Sequence, residues 1–271
     1  MPELPEVETT RRGIEPHIKD QTVAKVSIRC PKLRWPIPRS LYKNLPGNTI
    51  LAVERRAKYL LVRFEHGTLM MHLGMTGSMR ISPATRKWKK HDHFALTFTN
   101  KQQLRLHDPR KFGSVLWYRG ADEQQKLLAK LGPEPLTDSF DADYLYNKSK
   151  KRTVTIKQHI MNNHVVVGVG NIYASESLFM SGIHPTRAAG RVSKARMSVL
   201  VDNIKIILQR SIEQGGTTLR DFLNEKGEPG YFAQQLNVYD RAGEQCVDCN
   251  RIIKSVVLGQ RSTFYCPGCQ R

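Results

Sequence analysis

YLLVRFEHGTLMMHLG (residues 59–74) and HFALTFTNKQQLRLHD (residues 93–108) decide the fold class of the first half of this chain. The first stretch reads as two strands around Gly67, and the second as two more around Asn100 and Lys101. In the second, Phe94, Leu96 and Phe98 alternate with smaller or polar neighbours, the period of a half-buried strand. The same texture extends from about residue 20 to residue 118, which predicts a β-sandwich or a barrel.

Working outward, the period becomes helical from about residue 123. The clearest helix runs from Ser193 as N-cap to Gly215 as stop, with Met197, Leu200, Val201, Ile204, Ile207, Leu208 and Ile212 on one face. A second helix is expected from Asn171, after the turn GVG, to Gly182. NEKGEPGYFAQQ (224–235) reads as a linker or mobile loop, and the basic run KSKKR (148–152) as a solvated loop or a phosphate contact.

With 271 residues the chain is long enough for two compact units and a small appendage. Its 43 Lys and Arg against 24 Asp and Glu, a formal charge of +19, suit a polyanion partner. Charge alone also fits ribosomal, secreted cationic and membrane-surface proteins. MPELPEVETT places acidic residues before any apolar run, which argues against a signal peptide, and no stretch approaches the ~20 apolar residues of a membrane span. The expected location is therefore the cytoplasm or the nucleoid.

Of the 5 cysteines, Cys246, Cys249, Cys266 and Cys269 form two CxxC pairs near the C-terminal end. Four thiolates at this spacing predict one structural zinc ion per chain, with no coordination position left for catalysis. The insert IIKSVVLGQRSTFY (252–265) alternates around Gly259 and Gln260, which predicts a β-hairpin with Arg261 just past its turn. Cys30, in RCPKLRW, has no base near it in sequence and reads as an ordinary small residue.

At the other end, PELPE taken alone opens a helix, with Pro5 and EVETTRRGI in its first turns. Pro2 carries a second possibility, because proline at this position permits removal of the initiator Met. The product is a secondary amine with a pKa near ~8, partly neutral at physiological pH. Addition to a sugar aldehyde carbon would give an iminium that must stay cationic, an electron sink for elimination.

PELPEVE (2–8), RRAKYL (55–60), HLGMTG (72–77), DPRKFG (108–113), VGVGNIYASE (167–176) and GQRSTFYCPGC (259–269) follow one another over essentially the whole chain. Together they resemble the formamidopyrimidine-DNA glycosylase family. The resemblance implies a multidomain α+β protein: a β-sandwich with a leading helix over 1–130, a helix-two-turn-helix domain over 131–225, a linker over 226–236 and a β-hairpin zinc finger over 237–271. It implies a monomeric DNA glycosylase/AP lyase that removes oxidised purines from duplex DNA and also takes abasic sites.

The resemblance further implies Pro2 as the nucleophile at C1′, Glu3 as acid/base, Lys58 as a second catalytic position, and Arg261 in phosphate binding and δ-elimination. Glu6 either assists or is a plain first-turn acid. Met75, Arg110 and Phe112 resemble the trio that fills the gap left by an everted base. His91, Arg110 and Arg152 match DNA-contact positions, Lys157 in TIK follows as a further phosphate ligand, Asn171 after GVG opens a helix whose backbone N–H groups face a phosphate, and His72 is a neighbour of phosphate or of the intercalating trio. Arg220 stands where a family member has lysine, which leaves the reading of the flipped base open. The alternatives are an endonuclease VIII-like glycosylase for oxidised pyrimidines, whose start is closer to PEGPE, and a non-catalytic zinc-finger DNA-binding protein.

Overall fold

The computed structural model describes residues 2–215 and 236–271. The expected linker or mobile loop at 224–235, and Arg220, lie outside the described residues. The described residues divide into two compact units, the first formed by 2–129 with 214–215 and the second by 130–213 with 236–271.

The first unit opens with α1 (Leu4–Ile18), whose Val7, Ile14 and Ile18 repeat at helical spacing and enter the core. There follow β1 (Val23–Ile28), the short α2 (Leu41–Asn44), β2 (Ala52–Arg56), β3 (Tyr59–Phe64), β4 (Gly67–His72), β5 (Ser78–Pro83), β6 (Asp92–Phe98), β7 (Gln102–His107) and β8 (Ser114–Tyr118). Two four-stranded antiparallel sheets result, in the orders β1-β6-β7-β5 and β2-β3-β4-β8. One core takes Phe94, Leu96, Phe98 and Leu106 from the first sheet and Leu60, Val62, Leu69 and Val115 from the second. Each fully buried side chain of this kind contributes about 1.5–3 kcal/mol, which makes the pair of sheets a sandwich held by apolar burial.

The strand pairs around residues 59–74 and 93–108 form as expected, with one difference. The β3–β4 turn is Glu65–His66, and Gly67 is already paired with Phe64 in the strand. A Cβ on Gly67 would lie 2.5 Å from the Trp117 ring and 2.8 Å from the Tyr118 carbonyl, so glycine serves close packing of β8 rather than the turn.

In the second unit the regular helices are α3 (Ala142–Ser149), α4 (Ile156–Ile160), α5 (Asn171–Met180) and α6 (Lys194–Glu213). Regular helix therefore begins later than residue 123: residues 122–124 form one 3-10 turn, and turns and irregular chain occupy the rest up to Asp141, whose carboxylate caps α3 by accepting from Tyr144 N–H. The basic run 148–152 is the last turn of α3 and its exit, where lysines favour the negative helix end. α6 buries the seven apolar residues expected of its core face. α5 is buried almost all round, from Ile172 to Phe179, and is the centre of this unit. β9 (Lys254–Leu258) and β10 (Arg261–Tyr265) form the C-terminal hairpin, and both turn residues, Gly259 and Gln260, have positive φ, the geometry of a tight two-residue turn.

Candidate functional site

In the first unit, Pro2 is buried and immediately precedes Glu3, the N-cap of α1. The positive helix end disfavours a charged amine there. Glu3 is 4 % exposed, and the Glu6 carboxylate accepts its N–H at 2.7 Å, so Glu6 fixes the backbone that carries both residues. One turn on, Glu8 ties the helix to β2 by accepting from Arg55 at 3.1 Å, and it also pairs with Arg11 and Arg12. Burial opposes the ionisation of Glu8, but the hydrogen bonds from Arg11 and Arg12 and the charges of Arg11 and Arg55 outweigh it and hold the carboxyl below its ordinary value.

Lys58 lies with Ala57 in the turn joining β2 to β3, where Ala57 takes φ 54°. Across the sheet Tyr59 pairs with His72, and their rings lie 5.1 Å apart. Burial, then the charges of Lys58 and Arg34, push His72 down to about 4. His72 Nδ1 accepts the Gly74 N–H at 2.9 Å, so in the neutral ring the proton sits on Nε2, a donor suited to a phosphate oxygen.

His72 also lines a cavity of 540 Å³ with Leu33, Arg34, Gly74, Met75, Lys111 and Phe112. The chain thus brings Met75 and Phe112, from two separate motifs, to one opening. Arg110 lies with its guanidinium carbon 4.9 Å from the centre of the Phe112 ring, and Phe112 is 45 % exposed, an apolar face held out to solvent. Gly74 permits this approach: it has φ +68°, and a Cβ there would lie 2.5 Å from the backbone at Phe112 and Gly113.

Three contributors escaped the sequence reading. Asp108 is fully buried; its carboxylate accepts from Gly113 N–H at 2.8 Å and Thr76 Oγ1 at 3.3 Å, joining the two loops that carry Met75 and Phe112. An acid opening DPRKFG at a strand end was its only signal. Arg34 stacks on Trp35 at 4.9 Å, and adjacency in KLRWP could have suggested it. His91, by contrast, was expected as a DNA contact; it is half-buried, edge-on to His93 and His107, and its carbonyl accepts the Asp108 N–H at 2.9 Å.

The third, Glu176, belongs to the second unit and is fully buried. Its carboxylate accepts from the N–H groups of Asn237, Val238 and Tyr239 at 2.8–2.9 Å and from Asn237 Nδ2 at 3.0 Å. The one charged residue in an otherwise uncharged helix was the readable sign.

Lys157 departs from expectation. It is 1 % exposed, and its ammonium donates to Asn171 Oδ1 at 2.6 Å, Thr263 Oγ1 at 2.7 Å and the Ser262 carbonyl at 3.3 Å. Three donors meet three protein oxygens, so Lys157 positions Asn171 and β10 instead of meeting a phosphate directly. Asn171 is the first residue of α5, half-buried, and donates from Nδ2 to the Ser262 carbonyl at 2.9 Å. Arg152 is exposed just after Lys151, a residue of positive φ, and Arg261 is exposed at the start of β10.

The ligand atoms of Cys246, Cys249, Cys266 and Cys269 all lie within 4.8 Å of one another, with the Cys246–Cys269 and Cys249–Cys266 sulfurs 3.8 and 3.4 Å apart. A tetrahedron with Zn–S bonds of about 2.3 Å has sulfur–sulfur edges of about 3.8 Å, so the four sulfurs fit one structural zinc ion. Cys266 and Gln270 hold the knuckle to the helices: Gln270 accepts from Cys266 N–H at 2.8 Å and donates to the Ile183 carbonyl at 2.9 Å.

The chain matches the formamidopyrimidine-DNA glycosylase N-terminal domain over residues 1–115, the H2TH domain of the same enzymes over 131–223, and the zinc finger found in FPG and IleRS over 243–271. A sandwich with a buried N-terminal proline, a helical domain and a four-cysteine finger thus define a DNA-repair glycosylase of the helix-two-turn-helix class. The formamidopyrimidine-DNA glycosylase of Thioalkalivibrio sulfidiphilus is 56% identical over 100% of both chains. A Lactococcus lactis FPG variant in complex with a Fapy-dG containing DNA superposes with a TM-score of 0.92 at 34% identity, covering 100% of both chains. MutM in complex with carbocyclic 8-oxo-G containing DNA gives 0.91 at 34% identity, again over 100% of both. The chain belongs to the formamidopyrimidine-DNA glycosylase family.

Proposed function

We propose that this chain removes oxidised purines, 8-oxoguanine and formamidopyrimidines, from duplex DNA and then cleaves the strand at the abasic site. The observation that carries the reading is Pro2, buried at the positive end of α1 beside the capping carboxyl of Glu3. Once Met1 is removed, the Pro2 amine attacks C1′, the glycosidic bond breaks, and the base leaves with its electron pair. Glu3 protonates the opening sugar ring and relays protons near the cationic iminium. Loss of a C2′ proton then expels the 3′ phosphate, and a second elimination expels the 5′ phosphate.

The other roles follow from placement. Lys58 presents its ammonium at a tight turn near His72, and both suit a phosphate at the reacting nucleotide. Met75, Phe112 and Arg110 offer a thioether, a ring and a flat cation to replace the stacking of the everted base. Asn171, His91 and Arg152 add backbone contacts, and Arg261 holds a phosphate in its fork. We keep the domain bounds 1–130, 131–225 and 237–271 expected from the sequence; the intervening 226–236, apart from Leu236, lies outside the described residues. The relatives' shared name favours purine lesions over the pyrimidine alternative. Among the described residues no helix is long and apolar enough to cross a membrane. An enzyme that acts on chromosomal duplex belongs in the bacterial cytoplasm or nucleoid, where this chain would work as a monomer.

Borohydride should trap the Met-processed protein covalently on duplex carrying 8-oxoguanine, whereas Pro2→Gly should bind that duplex and cleave it slowly. An untrapped wild type, or equal cleavage by the variant, overturns the assignment of Pro2.

A further inference from the structure

The β5–β6 connection of the first unit encloses a small cavity, 20 Å³, lined by Arg80, Ser82, Arg86, Lys87, Lys89, Asp92 and Arg105. Five of the seven lining residues are basic and one is acidic, and that carboxylate is already engaged. Asp92 Oδ1 lies 2.9 Å from His107 Nδ1, and Asp92 Oδ2 accepts Lys89 N–H at 2.9 Å and lies 3.6 Å from Arg105. Arg105 is 3 % exposed; it donates to Gln103 Oε1 and to the carbonyls of Arg86 and Lys87, and stacks under Trp88 at 4.8 Å. The loop is therefore built around this buried guanidinium.

Strand register sharpens the problem. Arg80 of β5 pairs directly with Arg105 of β7, two like charges in a cross-strand position that ordinarily destabilises. Two buried polar atoms of the lining, Arg80 Nε and Ser82 Oγ, have no hydrogen-bond partner among the described residues, and Ser82 is 5 % exposed. Arg80 Nε can only donate and the Ser82 hydroxyl can donate, so what completes the pair must be an acceptor. The space suits one oxygen-sized group, and the surplus of positive charge selects an anionic oxygen over water.

We propose that this cavity is an oxyanion subsite that takes one phosphoryl oxygen, supplied by a DNA backbone phosphate or by free phosphate. The DNA source is favoured by place, since the same loop ends at His91, and it rests on the function proposed above. The free-phosphate source does not.

The full-length zinc-bound protein, Arg80→Gln, Ser82→Ala and a control, Lys43→Gln on α2, separate the sources. Their dissociation constants for an abasic-analogue duplex are measured across a salt series, and their melting temperatures with inorganic phosphate at constant ionic strength. A DNA phosphate in the subsite lowers the slope of log Kd on log salt by about 0.9 in Arg80→Gln and leaves it unchanged in Lys43→Gln. It also weakens binding by Ser82→Ala severalfold at fixed salt. Unchanged DNA binding with a phosphate-induced melting shift that shrinks in Arg80→Gln and Ser82→Ala identifies free phosphate instead. Should Arg80→Gln misfold, Ser82→Ala, which loses one hydroxyl, decides by itself. If neither variant differs from the control in either measurement, the cavity holds water and the proposal is overturned. A wild type that binds no duplex refutes the DNA reading while the phosphate series still tests the subsite.

Discussion

The β6–β7 hairpin and the β9–β10 hairpin are written in the same alternating code, yet they are held by different forces. Six of the seven residues of β6 are buried, with Phe94, Leu96 and Phe98 in the common core. None of the five residues of β9 is buried, and Val257 is 70 % exposed. The small cluster beneath the finger includes two of its own metal-binding cysteines, Cys246 and Cys266. Alternation thus announces a hairpin, but where apolar area is scarce a metal has to supply the folding energy.

Removal of zinc is the sharpest way to break this contrast. A structural site of four thiolates is worth on the order of 10 kcal/mol. Chelation should release one zinc per chain and abolish amide-exchange protection in β9–β10 while β6–β7 keeps its own. Protection of the finger surviving metal loss would show that its packing suffices.

The reciprocal test lies in the cores. Leu96→Ala should cost about 3 kcal/mol in denaturant unfolding, whereas Val257→Ala should fall within about 0.5 kcal/mol of wild type. Comparable losses would erase the distinction.

Acid probes both units, since each holds a histidine kept neutral. Burial, then the charge of Arg152, lowers His159 of the second unit to about 4, as burial and Lys58 lower His72 in the first. The folded imidazole stays unprotonated down to about pH 4, while the unfolded one takes a proton from about pH 6.5. Stability from each is therefore complete above pH 6.5 and is lost as pH falls towards 4. His159→Gln should flatten the acid limb of the second unit by roughly 2 kcal/mol, read as the difference from wild type in urea titrations at pH 7 and pH 4.5. Parallel acid limbs would exclude His159 as the cause.

The smallest expected effect is local. Ala57 holds φ 54° beside Lys58, and Ala57→Gly should relieve that strain for a net gain of about 0.5 kcal/mol. A loss would mean that the alanine methyl, buried at 3 % exposure, packs better than it strains.

Much of the fold was legible because it follows from local periodicity and turn chemistry. Met197 to Ile212 on one face of α6, the Gly259–Gln260 turn and the two CxxC knuckles each signal themselves over a few residues. Gly67 was misplaced because its reason, the Trp117 ring, comes from β8, about fifty positions away in the chain. Lys157 looked like a phosphate ligand for the same reason: Thr263 and Ser262, which occupy its ammonium, lie more than a hundred residues on.

By itself the sequence determined the strands, the long helices, the metal ligands and, through six ordered motifs, the family. Those properties depend on spacing within a segment or on residue identity. Only the tertiary structure decided which charges are spent inside the protein and which face out. It buried Asp108, Glu176 and Lys157 as organisers and joined Met75 to Phe112 at one cavity. It also set Arg80 against Arg105 with too few carboxylates to balance them. Burial and long-range pairing depend on partners distant in the chain, so a reading of local pattern cannot supply them.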